Sequence, residues 1–396
     1  MELKKNWKWL LAGAAGVAII AYAASADAAD LGGNCCADLE ERIAELETTV
    51  ARKGNRKVSL VVAGQLNKAI FWYDADDFGL GSDTAVIENG TSESYVTITG
   101  AALVRPGWWA GYALEIGQGT TGLDVNLGLG GATADIVTDN GLYTRQSYAF
   151  IKSEELGTIS LGLQSMATDD LSHQNVARTD AASKRLTFQP LGGVKVSILG
   201  VELIDVPLEP FNGRKANSVR YTSPTVAGFV ASAAWSSDDD SWDVALRYAG
   251  EFGGFGVVAG AGYYDDKTTD ILQALEPLTG PLGIGSTTLT VNGGVKHMTS
   301  GLFVQGTWSR LDFDNPINIQ TDAWHVQAGI ENRFFDVGHT TLWGEYSEWN
   351  DLDLTSYGLG VNQQLGPAVD LYAIGKRTEI GGGEIDTVTS GIRIRF

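Results

Sequence analysis

The side chains able to do chemistry in this sequence are charged rather than catalytic. Its four histidines, His173, His297, His325 and His339, are scattered, and none belongs to an H-E-x-x-H pair. Neither G-x-S-x-G nor G-x-x-x-x-G-K-[ST] occurs, so no nucleophile elbow or phosphate-cradling loop is encoded. What remains is a set of opposite charges. Asp169, Asp170 and Asp180 lie on one long polar segment, and Arg145, Arg220 and Arg247 lie on alternating segments around it. Held apart across a narrow water-filled passage, such charges set up a transverse field that favours polar solutes over apolar ones. The competing expectation is that the same groups form solvated structural ion pairs.

Positioning those arginines requires strands. From Lys57 onward apolar residues recur every second position, as in Val58, Leu60, Val62 and Leu66, or Trp324, Val326, Ala328 and Ile330. Runs of this kind suit tilted membrane strands of about 9–11 residues. If Val219 and Tyr221 face outward, Arg220 faces inward; Val244, Leu246 and Tyr248 do the same for Arg247. Placing Tyr148 and Phe150 outward turns Arg145 inward, although Thr144 and Gln146 then share the outer face. Lys68 falls on the face of Leu66 and Ile70, costly if that face meets lipid, unless a bulge or a subunit interface relieves it.

Connections alternate in length. Short links at Pro106-Gly107, Glu154-Glu155, Pro224 to Gly228, Gly253-Gly254, Ser300-Gly301, Asp336 to Gly338 and Leu365 to Pro367 separate longer polar segments such as Asp74 to Gly90, Gln118 to Asn140 and Asp265 to Gly285. Short turns at one end and long loops at the other are expected of an outer-membrane barrel. Sixteen strands result if Ser165 to Asn217 is one internal loop, and eighteen if Arg185 to Pro190 and Val194 to Leu203 add a hairpin.

Bulk composition agrees with a strand-rich fold. The chain has 396 residues with 50 Gly and 9 Pro, which suits tight turns between strands better than helices. A net charge of −20 excludes a basic nucleic-acid-binding surface. Met1 to Ala28 reads as a secretory signal, with Lys4, Lys5 and Lys8 ahead of an apolar Leu10 to Ala24 and a small-x-small site at Ala26-Asp27-Ala28. That apolar run is shorter than the roughly 20 residues of a spanning helix, the alternative reading. Residues 29–56 form a coiled-coil segment and linker, its seam being Leu39, Ile43, Leu46 and Val50 with spacings of four, three and four. Cys35 and Cys36, the only cysteines, could cross-link subunits there but cannot build a disulfide framework.

Two stretches carry a family resemblance. Thr144-Arg145-Gln146-Ser147-Tyr148-Ala149-Phe150-Ile151-Lys152 with Gly157-Thr158-Ile159-Ser160-Leu161-Gly162 resembles the general bacterial porin pattern, in which an arginine-bearing strand leads through G-x-L-x-x-G into the constriction loop. Asn217 to Pro224, continuing through Ala227-Gly228-Phe229, resembles the strand after that loop in the alphaproteobacterial branch, and Phe396 resembles the family's assembly signal for the barrel-assembly machinery. The resemblance covers almost the whole chain after the signal. It implies a barrel over 57–396 with 165–215 as the constriction loop, sixteen strands, a homotrimer with one pore per subunit, and passive diffusion of small hydrophilic solutes and ions. Leu163 and Val96 stand where the family often has arginine, which thins the expected basic wall.

The fold class expected is therefore all-β, an antiparallel transmembrane barrel in the bacterial outer membrane with a short N-terminal helix, and not an enzyme. No cofactor is expected beyond Ca²⁺ or Mg²⁺ held between lipopolysaccharide and the acidic loops at Asp74, Asp76 and Asp77 or at Asp238, Asp239 and Asp240; their spacing fits no specific metal motif. Two other functions stay open. One is a sugar-type specific channel using lumenal aromatics such as Trp343. The other is an envelope tether reaching peptidoglycan or a periplasmic partner through the coiled coil.

Overall fold

The protein is described from a computed structural model. The structure describes residues 59–396, apart from 80, 120, 127–132, 139–140, 170, 184–194, 199–200, 203–212, 239, 268–284, 315–319, 351–353 and 381. The signal, the coiled-coil seam (Leu39, Ile43, Leu46, Val50), Cys35 and Cys36, and Asp170 lie outside the described residues.

Alternating sequence becomes strand almost throughout. β1 (Val61–Asp74), β2 (Ser82–Glu88), β3 (Tyr95–Arg105) and β4 (Trp108–Gln118) precede two short strands, β5 (Thr121–Asn126) and β6 (Thr133–Thr138). β7 (Leu142–Ser153) and β8 (Gly157–Ser165) lead into the long internal segment, which contributes β9 (Lys195–Ile198) and β10 (Val201–Glu202). Then come β11 (Lys215–Thr222), β12 (Phe229–Ser236), β13 (Trp242–Phe252), β14 (Phe255–Asp266), β15 (Ser286–His297) and β16 (Leu302–Phe313). β17 (Gln320–Phe335), β18 (Gly338–Trp349), β19 (Leu354–Leu365), β20 (Val369–Ile380) and β21 (Gly383–Arg395) complete the chain.

Neighbours pair antiparallel, and β21 returns to β1 through Gln65↔Arg395 to Asp74↔Asp386. Gly64 and Phe396 exchange backbone hydrogen bonds of 2.8 and 3.0 Å, extending that seam to the last residue. Closing the ring of strands is the condition for crossing lipid with a sheet.

The main sheet holds 17 strands, yet the barrel has sixteen staves, because β2 and β3 are two halves of one. β2 pairs with Lys68 to Asp74 and β3 with Val61 to Gln65 of the same β1. Between them, residues 89–94 leave the sheet through a short 3-10 turn at Gly90–Ser92. Much of the expected Asp74 to Gly90 loop is thus strand. β9 and β10 pair with each other, and β9 pairs parallel with β5, in a separate four-stranded sheet. They add no staves, so the eighteen-strand alternative is not realised.

Side chains obey the period of two. On β13, Val244 and Leu246 are exposed outward while Asp243 and Ala245 are buried inward. Aromatic pairs sit near both ends of the outer face, Trp242–Tyr263 and Trp308–Trp324 by the long loops and Phe229–Tyr248 by the short turns. This is the interfacial girdle of a membrane barrel. The short turns need glycine where the chain reverses tightly: Gly301 has φ +74, and a Cβ there would stand 1.9 Å from the Glu331 carbonyl oxygen.

One expected orientation is reversed. Tyr148 and Phe150 pair with Gly162 and Ser160 on the inner face, while Ala149 and Ile151 pair with the exposed Leu161 and Ile159. Arg145 still reaches the lumen, for a different reason. The β4–β7 register shifts between Glu115 and Ile116, which pair with Gln146 and Thr144, so Arg145 is the unpaired residue of a bulge. Lys68 does lie on the outer face, across from Ile392 of β21. It is ion-paired with Glu88 and donates to Gln118 Oε1 at 3.2 Å.

Candidate functional site: the lumen

After β8 the chain turns into the barrel at Met166 and follows the inner wall. Its root is tied to a fully buried Asp243. Oδ1 accepts from Ala167 N at 3.0 Å, and Oδ2 accepts from Thr168 N at 2.6 Å and Thr168 Oγ1 at 2.7 Å. The returning chain meets the same point, since Gly213 N donates to Thr168 Oγ1 at 2.7 Å. Arg247 Nη2 donates to the carbonyls of Ala167 (2.7 Å) and Asp169 (3.0 Å). Leu171 then settles over Gly260 and Gly262, where an added Cβ would come within 2.7 and 2.8 Å of its methyl carbons. Small residues on β14 let the loop lie flat against the wall.

Further contacts follow stave by stave. Gln305 Oε1 accepts from Val176 N at 2.9 Å, and Gln327 Oε1 accepts from Thr179 Oγ1 at 3.0 Å. Glu331 accepts from Arg178 N at 2.7 Å, while Arg178 and Lys296 each pair with its Oε1 at 2.6 Å. Asp180 meets Arg393 at 2.5 Å, and Arg393 also pairs with buried Asp370 at 2.8 Å. At the tip, the Ala181 carbonyl accepts from Asn67 (3.3 Å) and Asn89 (3.1 Å) on the first two staves. Irregular backbone inside a membrane protein must find partners in the protein itself, and these polar side chains supply them. Ala177, Ala181 and Ala182 pack behind the loop with Phe71, Tyr73, Trp343 and Tyr372.

The described loop therefore clads β13 to β21 and β1, leaving β3, β4, β7, β8 and β11 facing the passage. On this open wall Arg145 Nε pairs with Glu115 Oε1 at 2.7 Å, Arg145 Nη1 pairs with Glu93, and the guanidinium carbon lies 5.2 Å from the Tyr95 ring centre. Arg220, between outward Val219 and Tyr221, donates from Nη1 to the Ser165 carbonyl at 3.0 Å. Its Nε is buried without a hydrogen-bond partner among the described residues.

Arg145, Arg220 and Arg247 all face inward, but the loop carboxylates take other partners. Asp169 pairs with Lys215 at 3.1 Å and Asp180 with Arg393. Arg247 binds the loop's carbonyls at Ala167 and Asp169. Asp180 sits deep in the lumen, where burial raises its pKa. The charge of Arg393 and its hydrogen bond, reinforced by Arg395, outweigh that and hold the carboxyl below the ordinary value.

Three other expectations change. Trp343 is packed behind the loop and donates to Glu345 at 2.9 Å, so it cannot guide a passing ligand. Val96 is on the outer face, because its neighbour Thr97 reaches the lumenal Glu115 at 2.9 Å. Leu163 is outward too, two residues on from exposed Leu161. Neither position thins the lumenal wall. Among the described residues no three His, Cys, Asp or Glu side chains converge as a metal site would need. Asp77 accepts from Glu384 N at 3.2 Å, Asp238 from Asn217 N at 3.1 Å, and Asp240 from Trp235 Nε1 at 2.9 Å; Asp239 lies outside the described residues.

Asp243, Glu331 and Arg393 were readable as inward, since they alternate with Val244, Ile330 and Ile392. Asn89 carries no such mark. The loop partners of Glu331, Arg393 and Asn89 are 153, 213 and 92 residues away, which no local pattern reveals.

Known proteins place this geometry. Residues 13–382 match the family model described as Gram-negative porin. No curated protein sequence matches the chain. Among solved structures the fold resembles in-vitro folded OmpT of Vibrio cholerae in a trimer form, with 14% identity, TM-score 0.55, and coverage of 86% of this chain and 100% of that one. It resembles Salmonella typhi OmpF in complex with daunomycin (15% identity, TM-score 0.57, coverage 87% and 99%). It also resembles the DcaP channel of Acinetobacter baumannii (11% identity, TM-score 0.56, coverage 87% and 99%). A closed sixteen-stave barrel with an infolded loop, matched by that family model over nearly its whole length, belongs to the Gram-negative porin family and is an outer-membrane diffusion channel.

Proposed function

We propose that the chain forms a homotrimer with one aqueous pore per subunit, and that each pore narrows between the loop of residues 166–183 and the open wall of β3, β4, β7, β8 and β11. Small hydrophilic solutes and ions pass by diffusion, with no catalytic step. The observation that carries this reading is the one-sided course of the loop, which covers the inner wall from β13 round to β1 and leaves β3, β4, β7, β8 and β11 open. Asp169 and Asp180 on the loop, with Asp170 next to Asp169 in sequence, Arg145 and Arg220 on the open wall, and Arg247 at the loop root are the charged groups of the constriction.

Trimer formation is supported by the outward ion pair of Lys68 and Glu88. Lipid would charge about 2–4 kcal/mol for an exposed Lys near the bilayer midplane. A neighbouring subunit covering β1 to β4 removes that penalty. The Vibrio cholerae OmpT trimer is consistent with this. The coiled-coil seam at Leu39, Ile43, Leu46 and Val50 adds a second contact between subunits on the periplasmic side, where it can also meet peptidoglycan. Phe396, closing the seam with Gly64, serves as the assembly signal. The resemblance of the Asn217 to Pro224 run supports a place in the alphaproteobacterial branch.

Purified protein in a planar bilayer tests the reading. Channels should insert in groups of three equal steps, with current linear in solute concentration. Single isolated steps, or saturable block by sugars, would replace it with a monomeric or substrate-specific channel.

A further inference from the structure

The break between β2 and β3 turns into the lumen, and it carries a carboxylate with it. β1 pins the excursion from one side. Gln65 Nε2 donates to the carbonyls of Ser92 (3.2 Å) and Glu93 (2.7 Å), and Asn67 donates from its amide side chain to Ser92 O at 2.9 Å and from its backbone to Ser94 Oγ at 2.8 Å. Held in this way, Glu93 extends over the open wall, accepts from Tyr143 Oη at 3.1 Å and pairs with Arg145.

Arg145 already has a partner in Glu115, so one guanidinium faces two carboxylates. An ion pair cancels at a distance, and the second carboxylate leaves the group negative. The two acids are not equivalent. Glu115 is 11% exposed and fastened by Thr97, whereas Glu93 is 24% exposed and stands nearer the water. In a confined channel a single uncompensated charge alters the local concentration of permeating ions.

We infer that Glu93 determines the ion preference of this pore, turning the wall that bears Arg145 from anion-attracting to cation-attracting. The inference rests on the proposed passage between loop and open wall. It names a specificity residue on a stave interruption, away from the loop that narrows the pore.

The test is the reversal potential of the full-length channel in a planar bilayer under a KCl gradient. Glu93→Gln keeps an acceptor for Tyr143 and Arg145 while removing the charge. It should lower the cation-to-anion permeability ratio about twofold or more, with the conductance step nearly unchanged. Arg145→Gln should raise the ratio, and the double variant should fall between the two. An unchanged ratio in Glu93→Gln, with Arg145→Gln and Arg220→Gln still shifting it, overturns the inference and leaves the passage in place. If all three variants keep the wild-type ratio while Asp180→Asn changes it, the proposed passage itself is wrong. Should Glu93→Gln form no channels, Arg145→Gln carries the test, and a ratio that falls or stays constant overturns the inference.

Discussion

The two halves of the lumen are built by different rules. The open wall, from β3 to β11, is positioned by strand geometry: each inward side chain is set by its own stave, and charges meet neighbours on adjacent strands, as Arg145 meets Glu115. The clad wall, from β13 round to β1, is finished by a largely irregular segment with one 3-10 turn at Leu171–His173 among its described residues. There the side chains Asp243, Gln305, Gln327, Glu331, Arg393 and Asn67 bind the backbone or polar side chains of the loop. Substitution on the open wall should alter selectivity while leaving the aperture unchanged. Substitution on the clad wall should alter the aperture.

The sharpest break of that contrast is Asp243→Ala. It removes three hydrogen bonds at the loop root and leaves the Ala167 and Thr168 donors buried without partners. A loss of about 3 kcal/mol or more in loop attachment is expected from bonds to a charged acceptor. Single-channel traces should show changed conductance with frequent transitions, and protease should cut the loop while the barrel resists. A quiet wild-type trace would show that the root is held elsewhere.

Gly262→Val comes next. The new side chain occupies the place of Leu171, at a cost of about 1–3 kcal/mol for overpacking. The displaced loop should narrow the pore and lower conductance, with reversal potential almost constant. A shift in selectivity as large as that of Glu93→Gln would erase the distinction between the walls.

The smallest effect is expected from acid. The carboxyl of Asp180 is held below its ordinary value by Arg393. Its contribution to holding the tip is therefore present above the usual carboxylate pKa of about 4, and is lost as pH falls through the lowered value. Channel noise should rise only below about pH 4. Asp180→Asn should show that noise at neutral pH and lose the dependence. Wild-type noise that begins to rise near pH 6 would point to a histidine instead.

The inward direction of an arginine on each wall was legible. Val219, Tyr221, Val244 and Leu246 dictate that Arg220 and Arg247 face inward, because alternation is a property of two neighbouring residues. Arg145 was placed inward through the wrong neighbours: Tyr148 and Phe150 line the lumen, and the bulge, invisible in the residue pattern, restores the arginine to it. Asn89 and Gly90 read as the end of the outer loop from Asp74 to Gly90, since nothing local distinguishes a loop from a strand interruption braced by Gln65 and Asn67. Asp169, Asp170 and Asp180 were expected to face Arg145, Arg220 and Arg247, and Asp169 and Asp180 instead pair elsewhere. Their partners, Lys215 and Arg393, lie 46 and 213 residues away.

The sequence by itself determined that this chain is a barrel of alternating strands with short turns, long loops and an aromatic last residue. These follow from the pleat of a single strand and the need to hide its backbone from lipid. Only the tertiary structure decided which half of the lumen the loop covers and which acids neutralise which arginines. Those choices depend on ring closure, which brings β21 beside β1 and sets Asn67, Asn89 and Arg393 around one loop tip.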